Sequence, residues 1–130
     1  MGKKSARAIV LDAGALIAFE KADVRMRALL REALQRNATL LIPAGVVAQV
    51  FRDRARQVSL GTLLASSITE VPVLDRVLAE AVGTLCGRTR SSDVVDASVV
   101  LVARKARAAV VSSDPDDLHR LDPWLEVHRI

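Results

Sequence analysis

The sequence predicts an α/β domain built on a mostly parallel sheet of four to five strands with helices on both faces, and three observations carry that expectation. Short apolar runs of strand type alternate with longer helical patterns along the chain. The clearest run, Ala-Ile-Val-Leu at 8–11, shows no in–out alternation, which suits a strand buried on both faces. With 51% hydrophobic residues among 130, the chain can bury one sizeable core, so a single domain spanning 1–130 is expected.

Taken in order, residues 8–11 are the first strand, closed at once by Asp12-Ala13-Gly14. Residues 15–20 and 24–36 read as helices. The second sets Met26, Leu29, Leu30 and Leu34 on one side, with Arg25, Arg27, Arg31 and Glu32 largely elsewhere. Residues 39–42 are the second strand. Pro43 follows as the first residue of a helix, where its missing N–H costs nothing, and that helix runs to about Arg54 on a stripe of Val46, Val47, Val50 and Phe51. Residues 60–65 make a short helix, 68–73 a third strand and 74–85 an amphipathic helix, with a break at 87–90 before Ser91-Ser92. In the helix over 93–107, Val94, Val95, Val99, Val100, Leu101 and Val102 lie nearly all round the circumference, the mark of a buried helix. Residues 109–111 are the fourth strand, 114–121 a short helix and 126–130 an edge strand. Helices between strands make crossover connections, hence parallel pairing.

Composition narrows function mainly by exclusion. Nineteen Lys and Arg against 15 Asp and Glu give a formal charge of +4, which suits an anionic partner and proves nothing alone. Two Phe, one Trp and no Tyr argue against stacking of single-stranded bases as the main binding mode. The single cysteine, Cys86, permits no intrachain disulfide, which fits a reducing compartment, and its apolar surroundings make it a core residue. No apolar run reaches the ~18 residues of a membrane span. The run behind the basic start Met1-Gly2-Lys3-Lys4 is too short for a secretion signal, so a cytoplasmic location without membrane contact is expected. There is no Cys/His cluster for zinc and no Gly-rich phosphate loop; His119 and His128 have no serine-and-acid set around them and read as structural.

In an open parallel sheet the loops leaving the carboxyl ends of the strands gather along one edge, and sites form there. Asp12 follows the first strand, and Asp114, with Asp116 and Asp117 behind it, follows the fourth; Asp93 and Asp96 stand at the head of the buried helix. Each acid also has a structural explanation. Asp12 can cap the helix beginning at Ala13, and Asp114-Pro115-Asp116-Asp117 is a well-formed helix start. Ser91 or Ser92 can be an N-cap, leaving Asp93 in the first turn. Asp96 resists that explanation best, because it sits deeper among valines and a buried unpaired carboxylate is costly. Three residues from Asp93, it can point with it at one spot. Carboxylates that converge repel one another unless a cation is present, and Mg²⁺ or Mn²⁺ is the natural one.

The segments AIVLDAGALIAF, SSDVVDASVVLVA and VVSSDPDDL together resemble, in order and spacing, the acidic signatures of PIN-domain ribonucleases of the VapC toxin type, over essentially the whole chain. The resemblance implies a three-layer α/β/α sandwich, Mg²⁺- or Mn²⁺-dependent endoribonuclease activity on single-stranded or structured RNA, a toxin–antitoxin context with an antitoxin-like protein partner, and a homodimer. Position by position, Asp12, Asp96 and Asp114 match metal-binding carboxylates, Asp93 an additional acid, Asp117 a less certain one, and Ser113 a small hydroxyl residue that steadies the site. One departure matters: where such nucleases carry a glutamate on the helix after the second strand, this chain has Gln49. Either Asp93 supplies the missing charge and activity survives, or the domain is a catalytically weakened module that binds RNA or an antitoxin. Arg88 and Arg90, on the approach to Asp93, are the best candidates to grip RNA phosphates, whereas Arg52, Arg54 and Arg56 read as a solvated face.

Overall fold

The computed structural model describes residues 7–130; the basic start Met1-Gly2-Lys3-Lys4 lies outside them. In chain order the elements are β1 (Ala8–Leu11), α1 (Ala13–Glu20), α2 (Val24–Gln35), β2 (Thr39–Leu41), α3 (Ala44–Val50), α4 (Val58–Leu64), β3 (Thr69–Glu70), α5 (Arg76–Thr89), α6 (Val94–Ala106), β4 (Ala109–Ser112), α7 (Pro115–Leu121) and β5 (Val127–Arg129). The sheet runs β3-β2-β1-β4-β5 with every neighbouring pair parallel. With its helices it forms a three-layer sandwich, as the alternation of strand and helix patterns predicts.

β1 is the centre of the sheet, and Val10 and Leu11 are fully buried there beside Leu40 and Val110. α6 packs on β1 and β4 and also touches α3, α5 and α7. It buries Ala97, Ser98, Val99, Val100, Val102 and Ala103. It is not apolar to the core all round, because Val94 is 54% exposed; burial covers its middle and not its first turn. Cys86 is buried, as its surroundings predict.

Caps set several boundaries. Asp23 begins α2 by accepting from the Met26 N–H at 2.9 Å, and Asp75 begins α5 by accepting from the Leu78 N–H at 2.9 Å. Other boundaries differ from the pattern-based expectation for local reasons. Pro43 caps α3 from outside instead of opening it. α3 stops at Val50 because the Gln57 side-chain oxygen accepts from the Arg52 and Asp53 N–H groups at 2.6 and 3.0 Å, drawing the chain out of the helix. β3 is only two residues long, since Pro72 offers no N–H to extend the ladder. α5 continues through Gly87 and ends at Arg90, in the left-handed region at φ 57°. Among the described residues, no helix is long and apolar enough to cross a membrane.

Candidate functional site

β1, β2 and β3 lie in order to one side, while β4 and β5 lie on the other side of β1. The β1–β4 boundary is therefore the switch point of the sheet, where a crevice is expected at the carboxyl edge. Asp12 leaves β1 and Ser112-Ser113-Asp114 leave β4, so two of the expected acids flank that crevice. The Asp12 N–H donates to the Val111 carbonyl at 3.3 Å, tying the two exits together.

Gly14 allows them to close up. A Cβ there would collide with the Ser113 hydroxyl and stand 3.1 Å from the Ser113 Cβ and 3.3 Å from its backbone nitrogen, so the start of α1 can meet the β4 exit only with no side chain in between.

Asp12 caps α1, accepting from the Ala15 N–H at 3.0 Å, so its capping explanation is realised. Yet capping does not exhaust it. Burial raises its carboxyl above the ordinary value of 3.8, the Ser112 hydroxyl and the Ala15 and Gly14 N–H groups pull it down, and the Asp114 charge raises it; the balance is upward. Asp114 stands at the N-cap of α7 without making a capping bond, so its exposed carboxylate is uncommitted.

Asp93, and neither Ser91 nor Ser92, is the N-cap of α6: its carboxylate accepts from the Asp96 N–H at 2.9 Å while its own N–H donates to the Ser91 hydroxyl at 3.0 Å. Asp96 consequently lies in the first turn, half-buried, nearer the helix end than its sequence setting suggested. Its carboxyl is pushed up to about 7. Burial is the largest cause, followed by the charge of Asp93, a hydrogen bond with Asp93, and the charges of Asp12 and Asp117. Four of the predicted acids thus share one electrostatic neighbourhood, and Asp114 joins it through Asp12. Asp117 is also bonded to Arg120 at 2.6 Å.

The other predicted residues divide. Gln49 is exposed near the end of α3, with no side-chain hydrogen bond among the described residues; α3 touches α1 and α6, which puts Gln49 on a neighbouring element without joining it to the acids. Arg88 and Arg90 are exposed where α5 turns toward Asp93. Ser113 is exposed and lies against Gly14, while the hydroxyl that steadies the acids is Ser112, which the sequence reading missed. Fully buried, Ser112 accepts from the Asp114 N–H at 2.9 Å and acts on Asp12. Ser112 is the last residue of β4 and is buried against the acids, whereas Ser113 lies just past the strand end and is exposed. His119 bonds the Leu125 carbonyl at 2.9 Å and His128 lies 3.3 Å from Glu126, both away from the acids.

The donor chemistry is all oxygen, which fits a hard divalent cation. Among the described residues, however, no three His, Cys, Asp or Glu side chains are gathered tightly enough to make a ready cage. The acids feel one another electrostatically, and side-chain rotation is needed before they could share an ion.

No protein-family model matches the chain, and no curated protein does. Solved structures do. A chain of VapBC2 from Rickettsia felis, solved bound to a DNA fragment from their promoter, superposes with a TM-score of 0.70 at 16% identity over 95% of this chain and 98% of that one. A chain of FitAcB from Neisseria gonorrhoeae gives 0.61 at 17% identity, covering 93% of this chain and 96% of the other. A chain of FitAB bound to an IR36 DNA fragment gives 0.63 at 15% identity, covering 93% and 94%. At these identities the likeness shows a shared fold.

These findings correct the family expectation drawn from the three acidic segments. Membership of the VapC-type PIN ribonucleases does not hold for this chain: no family model matches, and the structures that share the fold are complexes named for two proteins, from which a toxin identity does not follow. The physical reason lies in the segments themselves. Asp12 and Asp93 are helix caps, so part of the signature is what any strand-to-helix junction would carry.

Proposed function

We propose that this chain is a divalent-metal-dependent endoribonuclease cleaving single-stranded RNA, and the nuclease member of a toxin–antitoxin pair. The observation that carries the reading is Asp96, whose carboxyl is held near 7 by burial and by neighbouring carboxylates at the switch point of the sheet. Such a cluster is costly without a cation and is favoured with one. The complexes that share the fold support the paired context, since each is named as an assembly of two components.

In this reading Asp12, Asp96 and Asp114 hold Mg²⁺ or Mn²⁺, and Asp93 adds charge beside Asp96. When bound, the ion supplies Lewis acidity for hydrolysis of a phosphodiester. Ser112 keeps Asp12 and Asp114 in position. Arg88 and Arg90 take RNA phosphates on the way into the site.

A second reading rests on Gln49, which brings no charge, and on the acids standing apart. It makes the chain a non-catalytic module that binds RNA or an antitoxin. Cleavage of a labelled single-stranded RNA mixture with Mn²⁺, Mg²⁺ or EDTA separates the two. The nuclease reading predicts cleavage that needs metal and disappears in Asp96→Asn; a folded, partner-free protein that cuts nothing in either metal decides for the binding module.

A further inference from the structure

A groove of about 310 Å³ opens directly off the acidic edge. Gly14 and Ser113, which press together at the switch point, form its inner lip. It then follows α1 through Ile17 to Lys21, and Arg25 at the start of α2 closes its far side. Gly14, Ile17 and Lys21 are three and four residues apart, so they form one stripe on α1 that carries a ligand about 10 Å beyond the lip. Ile17 is 43% exposed there, an apolar floor facing solvent. Arg129 places a third cation at the lip, with its guanidinium 3.5 Å from the Ser113 carbonyl.

The charges along this groove are arranged in an informative way. Neither Lys21 nor Arg25 is in an ion pair among the described residues. The one acid on the lining, Asp23, is engaged as the cap of α2. An edge lined with carboxylates repels a polyanion, so a strand laid across it has to be held by cations on either side. Arg88 and Arg90 stand on the α6 side, and this groove supplies cations on the α1 side.

We infer that the groove is the exit track of a single-stranded polynucleotide, with Lys21 and Arg25 binding phosphates beyond the one at the acidic edge, Arg129 meeting the strand at the lip and Ile17 lying under a sugar or base. The inference rests on the ribonuclease reading, and its test does not depend on cleavage.

The test is binding of a fluorescein-labelled single-stranded RNA in EDTA, followed by anisotropy across a salt series. Wild type, the double variant Lys21→Ala/Arg25→Ala and the charge-matched Arg27→Ala/Arg31→Ala on the exposed face of the same helix region are compared; all four side chains are exposed, so truncation leaves the core intact. Loss of two phosphate contacts lowers the slope of log affinity against log salt by about 1.4 and weakens binding about tenfold or more in the groove variant alone. An equal loss in both variants would mean that overall positive charge holds the strand, and would overturn the inference. Wild-type affinity in the groove variant would assign the groove to some other ligand, such as a protein segment, with the same consequence. A wild-type protein that fails to bind RNA also sinks it. Cleavage with Mn²⁺ on the same preparations is scored separately: binding without cleavage refutes the ribonuclease reading, while the groove is still decided by the variant comparison.

Discussion

The two ends of α6 treat an acid in opposite ways. At its C-terminal end Arg104 meets Asp122, Nε to Oδ2 at 3.0 Å, and the other carboxylate oxygen accepts from the Trp124 N–H at 3.0 Å. Asp122 is almost fully buried, and both its oxygens are satisfied by groups from its own chain. At the N-terminal end Asp96 is half-buried, and the charges that reach it are those of Asp93, Asp12 and Asp117. Asp122 is matched by a cation of its own chain, whereas Asp96 is set among carboxylates, which hold its proton on to a higher pH. Cavity size gives no such distinction. A depression of about 990 Å³, larger than the groove beside the acids, lies at the opposite edge of the sheet, and there Glu32 is paired with Arg36 at 3.0 Å and Glu126 lies 3.3 Å from His128.

The sharpest way to break the comparison is to neutralise each acid. On the proposed nuclease reading, Asp96→Asn should lower RNA cleavage by more than about 100-fold, because in that reading Asp96 is a direct metal ligand and not a group behind one. Asp93→Asn should cripple cleavage to a similar extent if its charge stands in for the one Gln49 lacks; a nearly normal Asp93→Asn enzyme would end that idea. Asp122→Ala should leave cleavage nearly intact and destabilise the fold by about 2 kcal/mol in denaturant titration, since Arg104 and the Trp124 N–H lose their partner. Ser112→Ala should cost about 1 kcal/mol of stability, through the unpaired Asp114 N–H, together with a measurable fall in activity, whereas Ser113→Ala should do neither.

The smallest expected effect is in pH. Asp96 titrates at about 7 in the fold against an ordinary 3.8, so between those values the folded chain holds a proton that the unfolded chain has lost. The stability that this proton contributes is complete below the unfolded value and disappears as pH rises through the folded one. In metal-free protein it amounts to about 1 kcal/mol after allowing for solvent screening. The wild-type stability curve should therefore fall relative to that of Asp96→Asn between about pH 4 and pH 7. Parallel curves for the two proteins would show that Asp96 is not under the strain assigned to it.

Much of this was legible in the residues. The unbroken apolar run at 8–11 predicts a strand buried on both faces, and β1 is the central strand. An aspartate set among valines predicts a deeply buried carboxylate; Asp96 is only half-buried in the first turn of α6, and neighbouring carboxylates join burial in raising its pKa. What could not be read depends on contacts between distant segments. Gly14 matters because the β4 exit approaches it, and Asp122 is a structural acid because Arg104, eighteen positions away, faces it. Ser112 is buried at the end of β4 and Ser113 is exposed just beyond it, a boundary that no local pattern decides. The third strand is shorter than its apolar run predicts because Pro72 ends it, and α3 is shorter because Gln57 folds back on Arg52 and Asp53.

The most direct test of the account is calorimetric titration of Mn²⁺ into the metal-free wild type, Asp96→Asn and Asp122→Ala. The account predicts saturable binding by the wild type, the same binding by Asp122→Ala, and at least about tenfold weaker binding by Asp96→Asn. A wild type that takes up no Mn²⁺, or an Asp96→Asn protein that binds it equally well, would contradict the claim that the carboxylates at the head of α6 are placed to receive a cation.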